Sequence, residues 1–381
     1  MDLFQKLKNL SSQMHLEPAE DAGCTRLAGS PKMAGFASNA VLPGGRRITL
    51  LKTLLTSACE RNCYYCPFRA GRDFHRATLK PEEMARIFTS LHQKSIVEGL
   101  FLSSGIVAGG LSTQDKLIET AEILRKKHSF NGYVHLKIMP GVEKEQVRRA
   151  MQLVDRVSIN LEAPNDQRLS KFAPRKLFME ELMQPLRWIE EIRRESSSEK
   201  GWKGRWPSST TQFVVGGAGE SDLELLSTTE QLYQQMGIQR AYFSAFSPVP
   251  DTPLENLPPA PPEREHRLYQ ASFLLRDYGF TLEELPFNQM GDLPRHTDPK
   301  LSWAEIHLSA QPIEVNRADR YELLRIPGVG PKAARAILAA RKQGRIQDIS
   351  DLQKIGINSR RAAAFILLDG QRPTHQPRFW Q

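Results

Sequence analysis

Thr56-Ser-Ala-Cys-Glu-Arg-Asn-Cys-Tyr-Tyr-Cys-Pro67 places Cys59, Cys63 and Cys66 in a C-x₃-C-x₂-C run, directly after the apolar stretch Ile48-Thr-Leu-Leu-Lys-Thr-Leu-Leu55. Thiolates this close can face one metal centre. A closed structural zinc site takes four protein ligands, and a cubane iron–sulfur cluster is normally held by four cysteines. Three ligands leave one position vacant. In a [4Fe–4S] cluster that vacancy is an iron open to an external ligand, and the cluster becomes a site of chemistry rather than of electron storage. The alternative is a zinc knuckle completed by Cys24 or His75. Against it, Cys24 lies far upstream in an unpatterned segment and no second C-x₂-C pair closes a tetrahedron.

Outward from this loop the pattern alternates. Strand-like runs at 48–55, 99–104, 133–139, 156–162, 210–217 and 241–247 are separated by helical periodicity at 81–94, 113–127, 143–154, 166–172, 178–195, 221–235 and 263–278. The helix at Pro81 opens with Pro-Glu-Glu, which suits a first turn. Strands joined by helices of this length predict a parallel sheet with crossover helices. Six β-α units are too few for an eight-fold barrel. Residues 1–46 read as a polar N-terminal extension folding over a main domain at 47–280, and 281–311 as a connecting segment before a C-terminal domain at 312–381. An exposed excursion is expected at 195–209, where Trp202 and Trp206 serve either as a stacking platform for bases or as a cap on the barrel.

Three of the four cysteines sit in the motif, so a disulfide framework is excluded and a reducing cytosol is expected. No run of about 18 apolar residues and no signal sequence is present, which argues against a membrane. The net charge is +9, and residues 312–381 carry thirteen Lys and Arg against six Asp and Glu. Such a local basic excess points to a polyanionic partner.

The cysteine spacing, with aromatic Tyr65 before the last thiol, resembles the signature of radical S-adenosylmethionine (radical SAM) enzymes. The resemblance implies a (β/α)₆ partial TIM barrel with its site at the C-terminal ends of the strands, a [4Fe–4S] cluster on Cys59, Cys63 and Cys66, and S-adenosylmethionine chelating the open iron. It also implies reductive cleavage to a 5′-deoxyadenosyl radical and a need for an electron donor. Ser103 and Ser104 stand where the superfamily carries a Gly-Gly-Glu-like turn for the methionine amino group, although the acid is absent. Asn160 and Glu162 alternate with Leu161 and so point the same way, into the barrel mouth; they resemble ribose-binding residues. Phe213-Val-Val-Gly-Gly-Ala-Gly-Glu220 is similar to a G-x-I-x-G-x-x-E loop, with Val215, Gly217 and Glu220 on the matching positions and Phe213 in place of the first glycine. Arg175 reads either as a partner of the methionine carboxylate or as a solvated arginine.

Tyr321-Glu-Leu-Leu-Arg-Ile-Pro-Gly-Val-Gly-Pro-Lys-Ala-Ala-Arg-Ala-Ile-Leu338 resembles a helix-hairpin-helix module, with Asn316 placed to cap its first helix. Gly328 and Gly330 permit a tight turn whose N–H groups meet a DNA phosphate, and Lys332 and Arg335 add charge. Such contacts hold the backbone without reading sequence. A second copy runs from Ser350 to Phe365, with Asn358 replacing one glycine as a residue that tolerates a left-handed turn. The expected fold is therefore α/β, a partial barrel followed by a small all-α tandem helix-hairpin-helix domain.

Together the two motifs resemble a family of radical SAM proteins of DNA modification or repair, often accompanied by a uracil-DNA-glycosylase-like protein. The implied reading is a cytoplasmic enzyme acting on nucleic acid, DNA rather than RNA. Modification of RNA such as tRNA, and a non-catalytic metal-containing DNA-binding or scaffold protein, stay open as alternatives. No general acid or base can be picked from the sequence: His75, His135, Asn288 and His296 are only near plausible loops.

Overall fold

A computed structural model describes residues 2–12, 14, 37–42, 45–195 and 201–373. Cys24, most of the segment 1–46 and part of the 195–209 excursion lie outside the described residues. The chain divides into two compact units, residues 1–220 with 231–260, and residues 221–230 with 261–381.

The first unit is built on one seven-stranded sheet whose order follows the chain. The six expected strands are present: β2 (Arg47–Leu54), β3 (Gly99–Ser103), β4 (Tyr133–Lys137), β5 (Arg156–Glu162), β6 (Ser208–Val215) and β7 (Arg240–Ala245), each parallel to the next. The seventh arises in the segment read as a polar extension. There β1 (Ala37–Val41) pairs antiparallel with β2, and α1 (Leu3–Ser11) packs against β2. Ala40 of β1 buries against Ile48 and Leu50, an apolar pairing too short to show as periodicity. A strand order that never reverses, with right-handed crossovers, curls the sheet one way. Its end strands β1 and β7 do not pair, so the barrel is partial.

The crossover helices are α2 (Pro81–Gln93), α3 (Gly109–Glu122), α4 (Lys144–Leu153), α5 (Asp166–Phe172), α6 (Gln184–Glu195) and α7 (Asp222–Gln235). Period-two alternation sorts each strand into two faces. Leu136, Val157, Phe213 and Phe243 lie on one face and are fully buried. The opposite face carries Phe101, His135 and Ser158 in one layer. His135 stacks edge-on against Phe101 at 4.7 Å, and its Nε2 lies 2.8 Å from Ser158 Oγ. Toward the C-terminal ends the same face carries Ser103, Lys137, Asn160, Gln212 and Val214.

The opposite end of the sheet is closed by Arg125, which donates to the carbonyls of Leu153, Phe130 and Gly132, pairs with Asp155 at 3.1 Å, and lies 4.1 Å from the Trp202 ring. Asp155 immediately precedes β5. Trp202 therefore belongs to the N-terminal end of the strands, and neither caps the barrel mouth nor offers a face for stacking there.

The second unit contains α8 (Pro262–Asp277), α9 (Pro299–His307) and four further helices: α10 (Arg320–Leu323), α11 (Pro331–Ala340), α12 (Ile349–Lys354) and α13 (Ser359–Ala362). Leu323, Ile326, Val329, Ile337, Leu352 and Ile357 from both hairpins share one core. The region is helical apart from a two-residue parallel ladder between β8 (Ile313–Glu314) and β9 (Ile366–Leu367) and a bridge between Leu368 and Gln371. Asp319, not Asn316, caps α10 by accepting from the Glu322 N–H. Asn316 instead joins the two hairpins, donating to the Ile346 carbonyl at 2.8 Å and accepting from the Ile346 N–H at 3.0 Å. At the two hairpin turns the left-handed residues are Gly328 (φ +84°) and Gly356 (φ +81°), whereas Asn358 has φ −73°. Gly330 is not left-handed (φ −104°) and packs closely, since a Cβ there would lie 3.0 Å from the Tyr278 hydroxyl.

Candidate functional site

The cysteine loop leaves β2 through a pinched neck. Thr56 and Thr78 form a bridge with hydroxyls 2.7 Å apart, and the Ser57 N–H donates to the Ala77 carbonyl. Within the loop Arg76 donates to four main-chain carbonyls, those of Ser57, Phe68, Arg69 and Arg72, and its guanidinium lies 4.3 Å from the Phe74 ring. The loop is then tied to its neighbours. Glu60 N–H donates to the Ile106 carbonyl, Tyr64 N–H to the Phe172 carbonyl, and Gly105 N–H to the Thr56 carbonyl. Arg61 pairs with Glu181 at 2.6 Å. Gly105 is required by contact, since a Cβ would sit 2.1 Å from the Ala58 carbonyl oxygen.

This scaffold places Cys59, Cys63 and Cys66 on the wall of a cavity of about 190 Å³ at the C-terminal ends of the parallel strands. Tyr65, Ser103, Ser104, Asn160 and Glu162 line it as well. Cys59 Sγ accepts from the Ile106 N–H and Cys66 Sγ from the Phe68 N–H, each at 3.4 Å. Burial pushes the Cys63 and Cys66 thiols up, against the opposing pull of the Lys176 ammonium. Burial would lower Lys176, but Cys63 and Glu162 hold it above its ordinary value.

Glu162 is the most constrained residue in the wall. It follows an irregularity in the β5–β6 register and adopts φ +66°, a conformation costly for a side chain other than glycine. Its carboxylate pairs with Lys176 at 3.0 Å and receives the Tyr65 hydroxyl. Burial, then the neighbouring Glu162 charge, raises the Tyr65 phenol well above its usual range. Beside this pair, the Lys137 ammonium donates to the Asn160 amide oxygen, and Asn160 donates to Gln212 at 3.4 Å.

Two expected wall residues are placed elsewhere. Strand parity turns Val214 into the cavity and Val215 to the opposite face. Gly217 lies outside the wall, packed so that a Cβ would fall 2.4 Å from Phe172. Glu220 closes its own loop by accepting from the N–H groups of Gly216 and Ala218. Arg175 is exposed, and its carbonyl accepts from Arg61. The neighbouring Lys176 reaches the cavity instead, as do Lys137 and Arg61. Lys137 and Gln212 were also not anticipated; each stands two residues from another member of the inward face, the signal that could have found them. His75 is exposed, His135 is in the barrel floor, and Asn288 closes its own turn by accepting from Met290 and Asp292 N–H groups.

The donor chemistry fits an iron–sulfur cluster. Among the described residues no three His, Cys, Asp or Glu side chains gather tightly enough for a single metal ion. Three thiols on one cavity wall match the donor set of a cluster held by three cysteines. In the second unit, Gly328 is exposed at its turn, and Lys332 and Arg335 are exposed on α11.

Residues 53–232 match the radical SAM superfamily, and residues 309–359 match a helix-hairpin-helix motif. The first segment is thus a radical SAM domain, of the enzyme class that uses a [4Fe–4S] cluster with S-adenosylmethionine, and the C-terminal region carries a helix-hairpin-helix motif. Among solved structures, the chain is similar to methylornithine synthase (12% identity, 60% of this chain and 61% of that one, TM-score 0.48). It is similar also to the FeFe-hydrogenase maturase HydG from Carboxydothermus hydrogenoformans (14%, 60% and 51%, 0.44) and to a radical SAM methyltransferase from Sphaerobacter thermophilus (15%, 63% and 70%, 0.44). The chain spans about half to three fifths of the first two proteins. No curated protein matches it. Among the described residues no helix is long and apolar enough to cross a membrane.

Proposed function

We propose that this chain is a radical SAM enzyme acting on nucleic acid, with DNA favoured over RNA. The observation that carries the catalytic half is the placing of Cys59, Cys63 and Cys66 on one cavity wall at the C-terminal ends of the parallel strands, where α/β folds bind ligands. These three thiolates hold the cluster. When bound, the cluster supplies an electron to S-adenosylmethionine and hence a 5′-deoxyadenosyl radical that abstracts hydrogen from substrate. Arg76 shapes the loop that carries the thiols. Ser103 and Ser104 offer hydroxyls to the methionine end of the cofactor, and Asn160 and Glu162 offer acceptors to its ribose. Lys176, 3.0 Å away, holds the Glu162 carboxylate in place.

The nucleic-acid half rests on the helix-hairpin-helix match and the basic excess around it. Gly330 N–H at the first hairpin, with Lys332 and Arg335, meets backbone phosphate. A one-electron donor protein and a companion resembling uracil-DNA glycosylase complete this reading.

Anaerobic reconstitution tests the first half: four irons per chain, lost in the Cys63→Ala variant, and 5′-deoxyadenosine released on reduction. Zinc with no nucleoside product refutes it. For the second half, the full chain should bind duplex DNA more tightly than RNA of equal length, and nucleosides of a deletion strain should differ from the parent in DNA. A difference confined to RNA overturns the preference for DNA.

A further inference from the structure

Lys300, the second residue of α9, is buried to 8% exposure. Its Nζ donates to the Val329 carbonyl at 2.6 Å and lies 4.7 Å from the Tyr278 ring. Val329 is the middle of the first hairpin, Pro327-Gly-Val-Gly330. The carbonyl of Val329 and the N–H of Gly330 belong to one peptide group, so a charge on the oxygen side strengthens the donor on the nitrogen side. That Gly330 N–H has no hydrogen-bond partner among the described residues and stands at the N-cap of α11.

We infer that Lys300 is a positioning residue for the anion contact of the first hairpin: its ammonium fixes and polarises the Val329–Gly330 peptide, so that phosphate binding outside is linked to proton binding inside. The inference rests on the reading of this hairpin as a polyanion contact. The groups facing Lys300 are the Asp298 carboxylate at the N-cap of α9, the Arg361 guanidinium of α13, which is paired with Asp298, the Arg325 guanidinium after α10, and the Tyr278 phenol after α8. Burial is the largest influence and lowers Lys300; Asp298 raises it, and Arg361 and Arg325 lower it, leaving it at about 7. The residue is thus poised to take up a proton when an anion arrives. Arginine would keep the charge at every accessible pH.

The test is binding of the full chain to a short duplex DNA, by fluorescence anisotropy at constant ionic strength from pH 6 to 8.5. A bound-state rise of one pKa unit above about 7 makes the wild-type affinity fall about sevenfold over this range. Lys300→Met should bind weakly with a flat profile and Lys300→Arg tightly with a flat profile. Calorimetry of the wild type in buffers of different ionisation enthalpy should show net proton uptake on binding near pH 7.5, a readout that needs no variant. A Lys300→Met variant that keeps the wild-type pH profile, or binding without proton uptake, overturns the inference while leaving the hairpin contact standing. Failure of the wild type to bind duplex at any pH overturns the hairpin contact itself and this inference with it.

Discussion

Replacing Glu162 by Gln keeps the size of the side chain and removes its charge from the pair with Lys176. The two side chains are 6% and 9% exposed and 3.0 Å apart, so the ammonium left behind has little access to water. At an effective dielectric constant of about 20, charges 3.0 Å apart attract by about 5 kcal/mol. Breaking a buried pair from one side costs about 3–5 kcal/mol because the remaining charge is uncompensated. The first unit has about 250 residues, for which each kcal/mol moves the midpoint by about 2–4 °C. The expected outcome is a midpoint about 10 °C lower for Glu162→Gln in the metal-free, thiol-reduced chain, followed by circular dichroism. The double variant Glu162→Gln with Lys176→Met removes both charges and should recover part of the loss, with a coupling of about 2 kcal/mol or more in a double-mutant cycle. A single variant within about 1 kcal/mol of the wild type, or strictly additive variants, would refute the view that this pair is a desolvated element holding the cavity wall.

Gly105→Ala forces a Cβ to within 2.1 Å of the Ala58 carbonyl oxygen, and backbone cannot yield as a flexible side chain does. The variant should retain its far-UV spectrum but bind less than half the wild-type iron on reconstitution; full iron loading would show the contact to be slack. Arg76→Met removes donors to four carbonyls of the loop, and should make the metal-free loop markedly more sensitive to limited proteolysis between Ser57 and Ala77. Lys300 provides a pH test of stability. Its folded value of about 7 lies below the unfolded value of about 10.4, so between them the unfolded chain holds more protons and stability rises with pH, by at most about 1.4 kcal/mol per unit. The contribution is complete above the unfolded value and is lost as pH falls through about 7. Urea titrations at pH 7, 8 and 9 should show wild type gaining on Lys300→Met at each step, and parallel curves would contradict the buried placement.

How far the sequence could be read depended on the distance over which each feature is encoded. The cysteine spacing, the six strand runs and the Pro-Gly-Val-Gly turn are local patterns, and each falls in the element expected. Alternation puts Asn160 and Glu162 on one side of their strand, but Glu162 reaches the cavity across a break in the β5–β6 register and at φ +66°, which alternation does not record. The loop resemblance put Val215 at the cofactor, whereas it is Val214 that lines the cavity, because alternation states which residues agree and not which face is inward. The edge strand at Ala37–Val41 escaped notice because its stability comes from pairing with β2.

By itself the sequence determined the chemistry available to this protein: three thiols in one loop ahead of a crossover fold, and a basic double hairpin at the other end. Tertiary structure alone decided which side chains attend them. Lys176 meets Glu162 beside the thiols, Arg76 collects the carbonyls of the loop, and Lys300 reaches the hairpin from a segment with no motif of its own. The physical reason is that burial and the pairing of charges arise only when segments distant in sequence exclude water together, and no short-range pattern records that.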